Sequence, residues 1–155
     1  MTVPPIPPGY HSITPYLIID GAAAAIDWYA KVFEAREHMR LAAPEGKIGH
    51  AEIDIGTSRI MLADEAAEHM ARAPASFGGS PIGLHLYIAD VDAVLARAVA
   101  AGGTIRTPVE DKFYGDRMGV LVDPFGHVWF VSTHIEDVSE AEIARRLASM
   151  AGGTS

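Results

Sequence analysis

The sequence contains no cysteine, which excludes a disulfide framework and any thiol chemistry. No apolar run reaches the roughly 18–20 residues that a membrane-spanning helix needs, so a membrane partner is not expected. The opening, Met1-Thr2-Val3-Pro4-Pro5-Ile6-Pro7-Pro8-Gly9, has neither a basic segment nor an apolar core, and does not read as a secretory signal. Positive charge is scarce: 12 Lys and Arg stand against 20 Asp and Glu, for a formal net charge of −8. Arg145-Arg146 is the only adjacent basic pair. A phosphate backbone demands clustered cations, so nucleic acid is excluded as a partner. The acidity serves solubility or, alternatively, a cationic ligand. A soluble, cytoplasmic protein is the expectation.

What is present is ample material for a core: 155 residues, of which 49% are hydrophobic. Residues 1–11 read as an extended Pro-rich arm. Residues 12–65 then run strand, helix and three strands. Ile13 to Ile19 is β-like, Asp20-Gly21 breaks it, and Asp20 is placed to cap a helix begun at Ala22. From Ala22 to Ala35 the period is helical, with Ile26, Tyr29, Ala30 and Phe33 on one face. The β-like runs Glu37–Ala42, Lys47–Ile55 and Ser58–Ala63 come next, separated by turn residues. Residues 66–82, rich in Ala, Gly, Ser and Pro, read as a linker that starts with a helical turn.

Residues 83–135 repeat the order. Leu84–Ile88 is a strand, Asp90 a cap, and Val91, Val94, Leu95 and Ala98 a helix face closed by Gly102-Gly103. Thr104–Val109, Gly119–Val122 and Val128–Thr133 are strands. Ile19 corresponds to Ile88 and Gly56 to Gly126, a period of about 70 residues and too long for a solenoid. The fold class is therefore α+β: two βαβββ modules forming curved mixed sheets, plus a C-terminal helix in residues 136–155. That helix, Val138 to Met150, has capping-box spacing at Ser139 and Glu142 and staple spacing at Val138 and Ile143. Ile143, Leu147 and Met150 are expected to pack it down.

The phrase Asp123-Pro124-Phe125-Gly126-His127-Val128-Trp129 is a tight turn opening onto a strand. Together with the duplicated order and the Ala25-Ile26-Asp27-Trp28-Tyr29 helix, it resembles the vicinal oxygen chelate superfamily. That group holds glyoxalase I, fosfomycin- and bleomycin-resistance proteins and extradiol dioxygenases. The segments Ile60–Glu65, Val109–Arg117 and Thr133-His134 resemble its PhnB-like branch. The resemblance spans about residues 12–146 and implies a cup between the modules that holds a small-molecule ligand.

The resemblance also implies one divalent metal, held by the first and fourth strands of each half. Those positions fall on Thr14, Ile60 or Met61, Gly83 and Phe130, which supply no imidazole or carboxylate. The usual metal site thus reads as erased, and no cofactor is expected. A displaced divalent metal on His50, Glu52 and His85 stands as an alternative. Strand alternation turns Ala51, Ile53 and Ile55 to the helix and His50, Glu52 and Asp54 away from it. His85, Tyr87, Thr14 and Tyr16 are assigned to the cup in the same way. Phe130 and Trp129 are core residues or a ligand platform, and Tyr114 and Arg117 are candidates to close the mouth. Asp116-Arg117 is otherwise a loop ion pair, His127 braces the turn, and His134 caps a strand edge.

Two functions compete. One is small-molecule binding without turnover, with Thr14, Tyr16, Tyr87, Tyr114, Arg117, Trp129 and Phe130 as contacts. The other is an enzyme, such as a lyase or isomerase, using His50, Glu52 and His85 as acid and base. A homodimer is expected from open sheet edges and from family habit, with the Pro-rich arm lying across the partner.

Overall fold

The computed structural model describes residues 2–153. The chain divides into two compact units, Met1–Ser80 and Pro81–Ser155. In the first, β1 (Tyr16–Ile19), α1 (Ala22–Phe33), β2 (Arg36–Ala42), β3 (Ile48–Ile55) and β4 (Ser58–Asp64) form a sheet of order β1-β4-β3-β2. β1 is parallel to β4; the other pairs are antiparallel. The second has β5 (Gly83–Tyr87), α2 (Val91–Ala100), β6 (Thr104–Asp111), β7 (Asp116–Val122) and β8 (Val128–His134), with sheet order β5-β8-β7-β6. α3 (Glu140–Ala151) comes last. The α+β architecture of two mixed four-stranded sheets is as the sequence predicts.

The duplication is visible in the register. Tyr16 lies opposite Met61 in the first sheet, as His85 lies opposite Phe130 in the second. The helix starts are also held alike, from the end of the last strand. Asp64 Oδ1 accepts from the Gly21 and Ala22 amides at 2.9 Å each, and Thr133 Oγ1 accepts from the Val91 amide at 2.9 Å. The cap of α1 is therefore Asp64, not Asp20. Gly21 takes a left-handed conformation at the N-cap, and the tertiary carboxylate does the work of a local one. Asp90 does cap α2, accepting from the Ala93 amide at 3.0 Å.

Each helix buries one stripe against one sheet face. In α1 it is Ala22, Ala25, Ile26, Trp28, Tyr29, Val32 and Phe33. Ala30, expected on that face with Ile26, Tyr29 and Phe33, is exposed instead, at the solvent edge of the stripe. α1 stops at Phe33 because Glu34 turns left-handed and donates back to the Tyr29 carbonyl. In α2 the stripe is Val91, Val94, Leu95 and Ala98. β1 starts at Tyr16 rather than Ile13, which is exposed. Pro15 lacks the N–H that a ladder through it would need, although its carbonyl accepts from the Met61 amide at 2.9 Å. β7 starts earlier than expected, at Asp116, and β6 runs through Pro108 to Asp111, which an edge strand tolerates. The 66–82 stretch carries two short 3-10 turns, Ala67–His69 and Pro74–Phe77.

α3 departs most from expectation. Ser139 Oγ accepts from the Glu142 amide at 3.2 Å, as a cap should. No residue of the helix is buried, and Leu147 and Met150 are more than half exposed. Polar bonds tie it down instead: Arg146 pairs with Glu136 and Glu142 and donates to the Phe113 carbonyl at 3.0 Å.

Candidate functional site

In the first unit the alternation of β3 holds: Ala51, Ile53 and Ile55 are buried on the α1 side. On the open face a chain of four polar side chains crosses the sheet. The Tyr16 hydroxyl lies 2.9 Å from His50 Nδ1, and His50 Nε2 lies 3.2 Å from Glu52 Oε1. The Tyr10 hydroxyl donates to Glu52 Oε2. Glu52 is 5% exposed, yet the Tyr10 bond, aided by His50 and Arg59, outweighs burial and holds its carboxyl below the usual range. The same bond raises Tyr10, and burial with the Glu52 charge raises Tyr16, so both stay phenols. Beside this chain, Arg59 grips Asp54 in a bidentate pair at 2.8 and 3.0 Å and stacks over the Tyr10 ring at 4.9 Å.

The end of the Pro-rich arm is thereby fastened to its own module. Tyr10 and Arg59 are site residues that sequence reasoning missed. The available signal was the turn-forming Pro7-Pro8-Gly9 before an aromatic residue, and the Tyr10 amide donates to the Pro7 carbonyl at 3.1 Å.

At the Tyr16 end this face opens into a cleft of about 820 Å³, walled by Tyr16, Ile18, the 43–49 turn and residues 63–71. The start of the 66–82 stretch is thus a cleft wall as well as a connection. Ile18, Ile48, Ala63, Ala66 and Ala71 supply apolar surface there. The carboxylates Glu45, Asp64, Glu65 and Glu68 outnumber the one lysine, Lys47. Asp64 is committed to the Gly21, Ala22 and Ile48 amides, and Glu65 to the Ala73 amide and Ser76 hydroxyl.

In the second unit, His85 and Tyr87 stack at 4.8 Å on the open face of β5, and the Phe130 ring lies 6.2 Å from His85. His85 Nε2 is 2.9 Å from Ser132 Oγ. The Tyr87 hydroxyl donates to Asp116 Oδ2 at 2.8 Å, and the Tyr114 hydroxyl points at Met118 Sδ, 3.6 Å away. These residues share one face. Arg117 does not. It lies one residue from Asp116 on β7 and reaches Asp92 of α2 at 2.7 and 2.9 Å, and Asp111 at 2.9 Å. Asp116 and Arg117 therefore point to opposite faces and do not pair with each other. Trp129 is core: it is 1% exposed and donates from Nε1 to Asp123 Oδ2 at 2.9 Å.

His134 is more than the expected edge cap. Its Nδ1 is 2.7 Å from Asp116 Oδ1 and its Nε2 2.7 Å from Asp137 Oδ1. Asp116 is 3% exposed; burial opposes its charge, but the His134 and Tyr87 bonds hold it below the usual carboxylate range. The bonds to Asp116 and Asp137 raise His134 above its ordinary 6.5. A raised histidine contributes stability that is fully present below the unfolded value and is lost as pH rises through the folded one. The melting temperature of the wild type should therefore fall as pH rises above about 6.5, and His134→Gln should flatten that slope. A thermal melt series across pH checks it; equal slopes would refute the contribution.

The superfamily's metal positions can be set on the register. Met61 stands where Phe130 stands in the second module, while Ile60 is 5% exposed and lies opposite Ile53, on the α1 side. Thr14 is half-buried just before β1. A Cβ at Gly83 would overlap the Phe130 ring, so a phenyl group fills the space a ligating side chain at 83 would use. Hydroxyl, thioether, hydrogen and phenyl are not a ligand set for zinc, nickel or iron. The residues present do not fit the group. Among the described residues, no cluster of three or more His, Cys, Asp or Glu is placed to hold a metal ion.

Comparison with known proteins agrees with this architecture. Residues 10–131 match the family model of the Glyoxalase/Bleomycin resistance protein/Dioxygenase superfamily, and the chain belongs to that superfamily. It is 40% identical over 145 residues to the uncharacterized protein Mb0911c of Mycobacterium bovis, covering 92% of this chain and 95% of the relative. Among solved structures it is similar to TioX from Micromonospora sp. ML1, at 26% identity and a TM-score of 0.63, over 83% of this chain and 100% of that one. It shares the fold of the fosfomycin resistance protein FosX from Listeria monocytogenes, solved with Mn(II) and sulfate. There the identity is 14% and the TM-score 0.59, over 88% of this chain and 97% of that one. Among the described residues, no helix is long and apolar enough to cross a membrane.

Proposed function

We propose that this chain is a cytoplasmic small-molecule-binding protein whose ligand lies on the open sheet face of the first module and enters the cleft beside Tyr16. The observation that carries this reading is the cleft of about 820 Å³, a size suited to a small organic molecule. It is walled by both apolar and acidic groups and opens next to the hydrogen-bonded row Tyr16–His50–Glu52–Tyr10. Thr14 belongs with this face. His85, Tyr87, Tyr114 and Phe130, on the open face of the second module, are proposed as a ligand-contact surface of that unit taken by itself. Arg117 and Trp129 are left out, because their polar groups are committed to Asp92, Asp111 and Asp123.

Binding is proposed to need no divalent metal at the superfamily's usual positions; the donor chemistry of Thr14, Met61, Gly83 and Phe130 supports this. Elemental analysis of the purified protein should find far less than one metal per chain, and a chelator should leave its melting temperature unchanged. About one tightly held metal per chain would overturn the proposal. For the binding itself, a thermal-shift screen of cationic, neutral and anionic aromatic molecules should yield stabilising ligands whose effect is lost in Tyr16→Ala.

A second reading, acid–base catalysis, is favoured by the 3.2 Å bond between His50 and the buried Glu52, which is the arrangement of a base with its orienting carboxylate. Incubating a stabilising ligand with the protein and following it by NMR separates the two. An unchanged ligand supports binding; a product supports turnover that His50→Ala abolishes.

We further propose a homodimer. The four edge strands β1, β2, β5 and β6 leave ladder groups open, and α3 leaves Leu147 and Met150 uncovered. Light scattering at micromolar concentration should give twice the chain mass of 16.5 kDa; a clean monomer rejects it.

A further inference from the structure

The polar row on the first module has a direction, and that direction selects the ligand. Glu52 is buried and accepts from Tyr10 through Oε2. An ionised carboxylate has no proton to give, so its other oxygen must also accept. His50 Nε2, 3.2 Å from Oε1, therefore carries the imidazole proton. In neutral histidine the second nitrogen is then a bare lone pair. His50 Nδ1 must accept, and its one partner in this row is the Tyr16 hydroxyl at 2.9 Å. The Tyr16 proton is spent on His50, and its oxygen keeps only lone pairs for any further partner at the cleft that Tyr16 lines.

We infer that Tyr16 is a fixed hydrogen-bond acceptor and that the ligand carries an N–H donor, specifically an ammonium group on an apolar body. This rests on the cleft being the binding site. The remaining chemistry of the cleft points the same way. Its apolar residues suit the body, and the exposed carboxylates Glu45 and Glu68, set against the single lysine Lys47 and the imidazole of His69, favour a cation over an anion. A carboxylate head would meet the lone pairs of Tyr16 with its own. The Tyr10 and Glu52 end of the row has no such freedom of partner, so the polarity is set from inside the sheet outward.

Two measurements test this on the full chain. Long-range ¹H–¹⁵N NMR of the imidazoles should show His50 as the Nε2–H tautomer with Nδ1 as acceptor. The Nδ1–H tautomer overturns the inference whatever binds. Titration then uses three probes of similar size: 2-phenylethylammonium, its N,N,N-trimethyl derivative, which keeps the charge but has no donor, and 3-phenylpropionate. The primary ammonium should bind roughly threefold to tenfold more tightly than the trimethyl derivative, the worth of one hydrogen bond. The propionate should bind weakest. In Tyr16→Phe the first two should become equal while the trimethyl derivative binds as before. Equal binding of the two cations to the wild type, or a preference for the propionate, overturns the donor rule but leaves the cleft a binding site. Failure of all three to bind, with residues around Tyr16 unshifted, overturns the cleft reading and the inference with it.

Discussion

Asp123→Ala is expected to lower the stability of the protein by about 3 kcal/mol, one of the two largest single effects here. Asp123 is 4% exposed and its carboxylate is fully used. Oδ1 accepts from the Phe125 amide at 2.9 Å and the His127 amide at 3.0 Å, and Oδ2 accepts from the Trp129 indole at 2.9 Å. The backbone closes around it: the Asp123 amide donates to the His127 carbonyl and the Gly126 amide to the Asp123 carbonyl. Alanine leaves three donors without their acceptor, one of them a buried indole N–H. Each lost partner costs its share of desolvation, and that cost exceeds the net worth of the bond. In urea the midpoint should drop by more than about 1 M at unchanged slope. Asp123→Asn keeps an acceptor oxygen and should cost less. If alanine moved the midpoint no more than asparagine, the bonds would not be what holds this turn.

Gly115→Ala should be comparably severe, at about 3 kcal/mol. Gly115 has φ +104, and a Cβ there would run into the Glu136 carbonyl oxygen, which is backbone and cannot rotate away. The close approach is functional in the fold. The Gly115 carbonyl accepts from the Ile135 and Glu136 amides at 2.9 and 3.0 Å, fastening the chain after β8 to the turn before β7. The same segment carries Asp137 to His134 and Glu136 to Arg146. A side chain at 115 should release all of these, so amide exchange at Ile135 and Glu136 should accelerate. Gly56→Ala is the control: Gly56 also has positive φ but nothing lies within 4 Å of its Cβ position. It should cost only the conformational term of about 1 kcal/mol. Equal losses at 115 and 56 would show that steric closure at 115 does not matter.

Much of the architecture was legible because it is written in short-range pattern. The α2 stripe Val91, Val94, Leu95 and Ala98 is buried as its spacing requires. The β3 alternation held because a strand turns every second side chain to the same face. The Asp-Pro-Phe-Gly-His-Val-Trp phrase read as a turn, and its spacing is now explained by one carboxylate reaching the second, fourth and sixth residues after it.

The misses have a common cause. Asp20 is a good local cap, but Asp64, at the end of the neighbouring strand β4 and opposite Ile19, takes the place. Arg117 had the composition of a ligand-closing residue, but β7 begins at Asp116, which sets Arg117 on the α2 side beside Asp92. Leu147 and Met150 have the spacing of a packed face, yet both stay more than half exposed. Tyr10 sat in a segment without periodicity, and only the folded sheet brings it to Glu52.

The sequence by itself determined the duplicated βαβββ order, the faces that α2 and β3 bury, and the missing donors at Thr14, Gly83 and Phe130. These come from periodicity and residue type, which local physics fixes. Only the tertiary structure decided which partner each polar group takes. Hydrogen bonds between residues more than 40 apart, such as Tyr10 to Glu52 and Thr133 to Val91, depend on strand register. Register is set by the packing of whole sheets, and a shift of one residue would turn Glu52 and Thr133 to the other face.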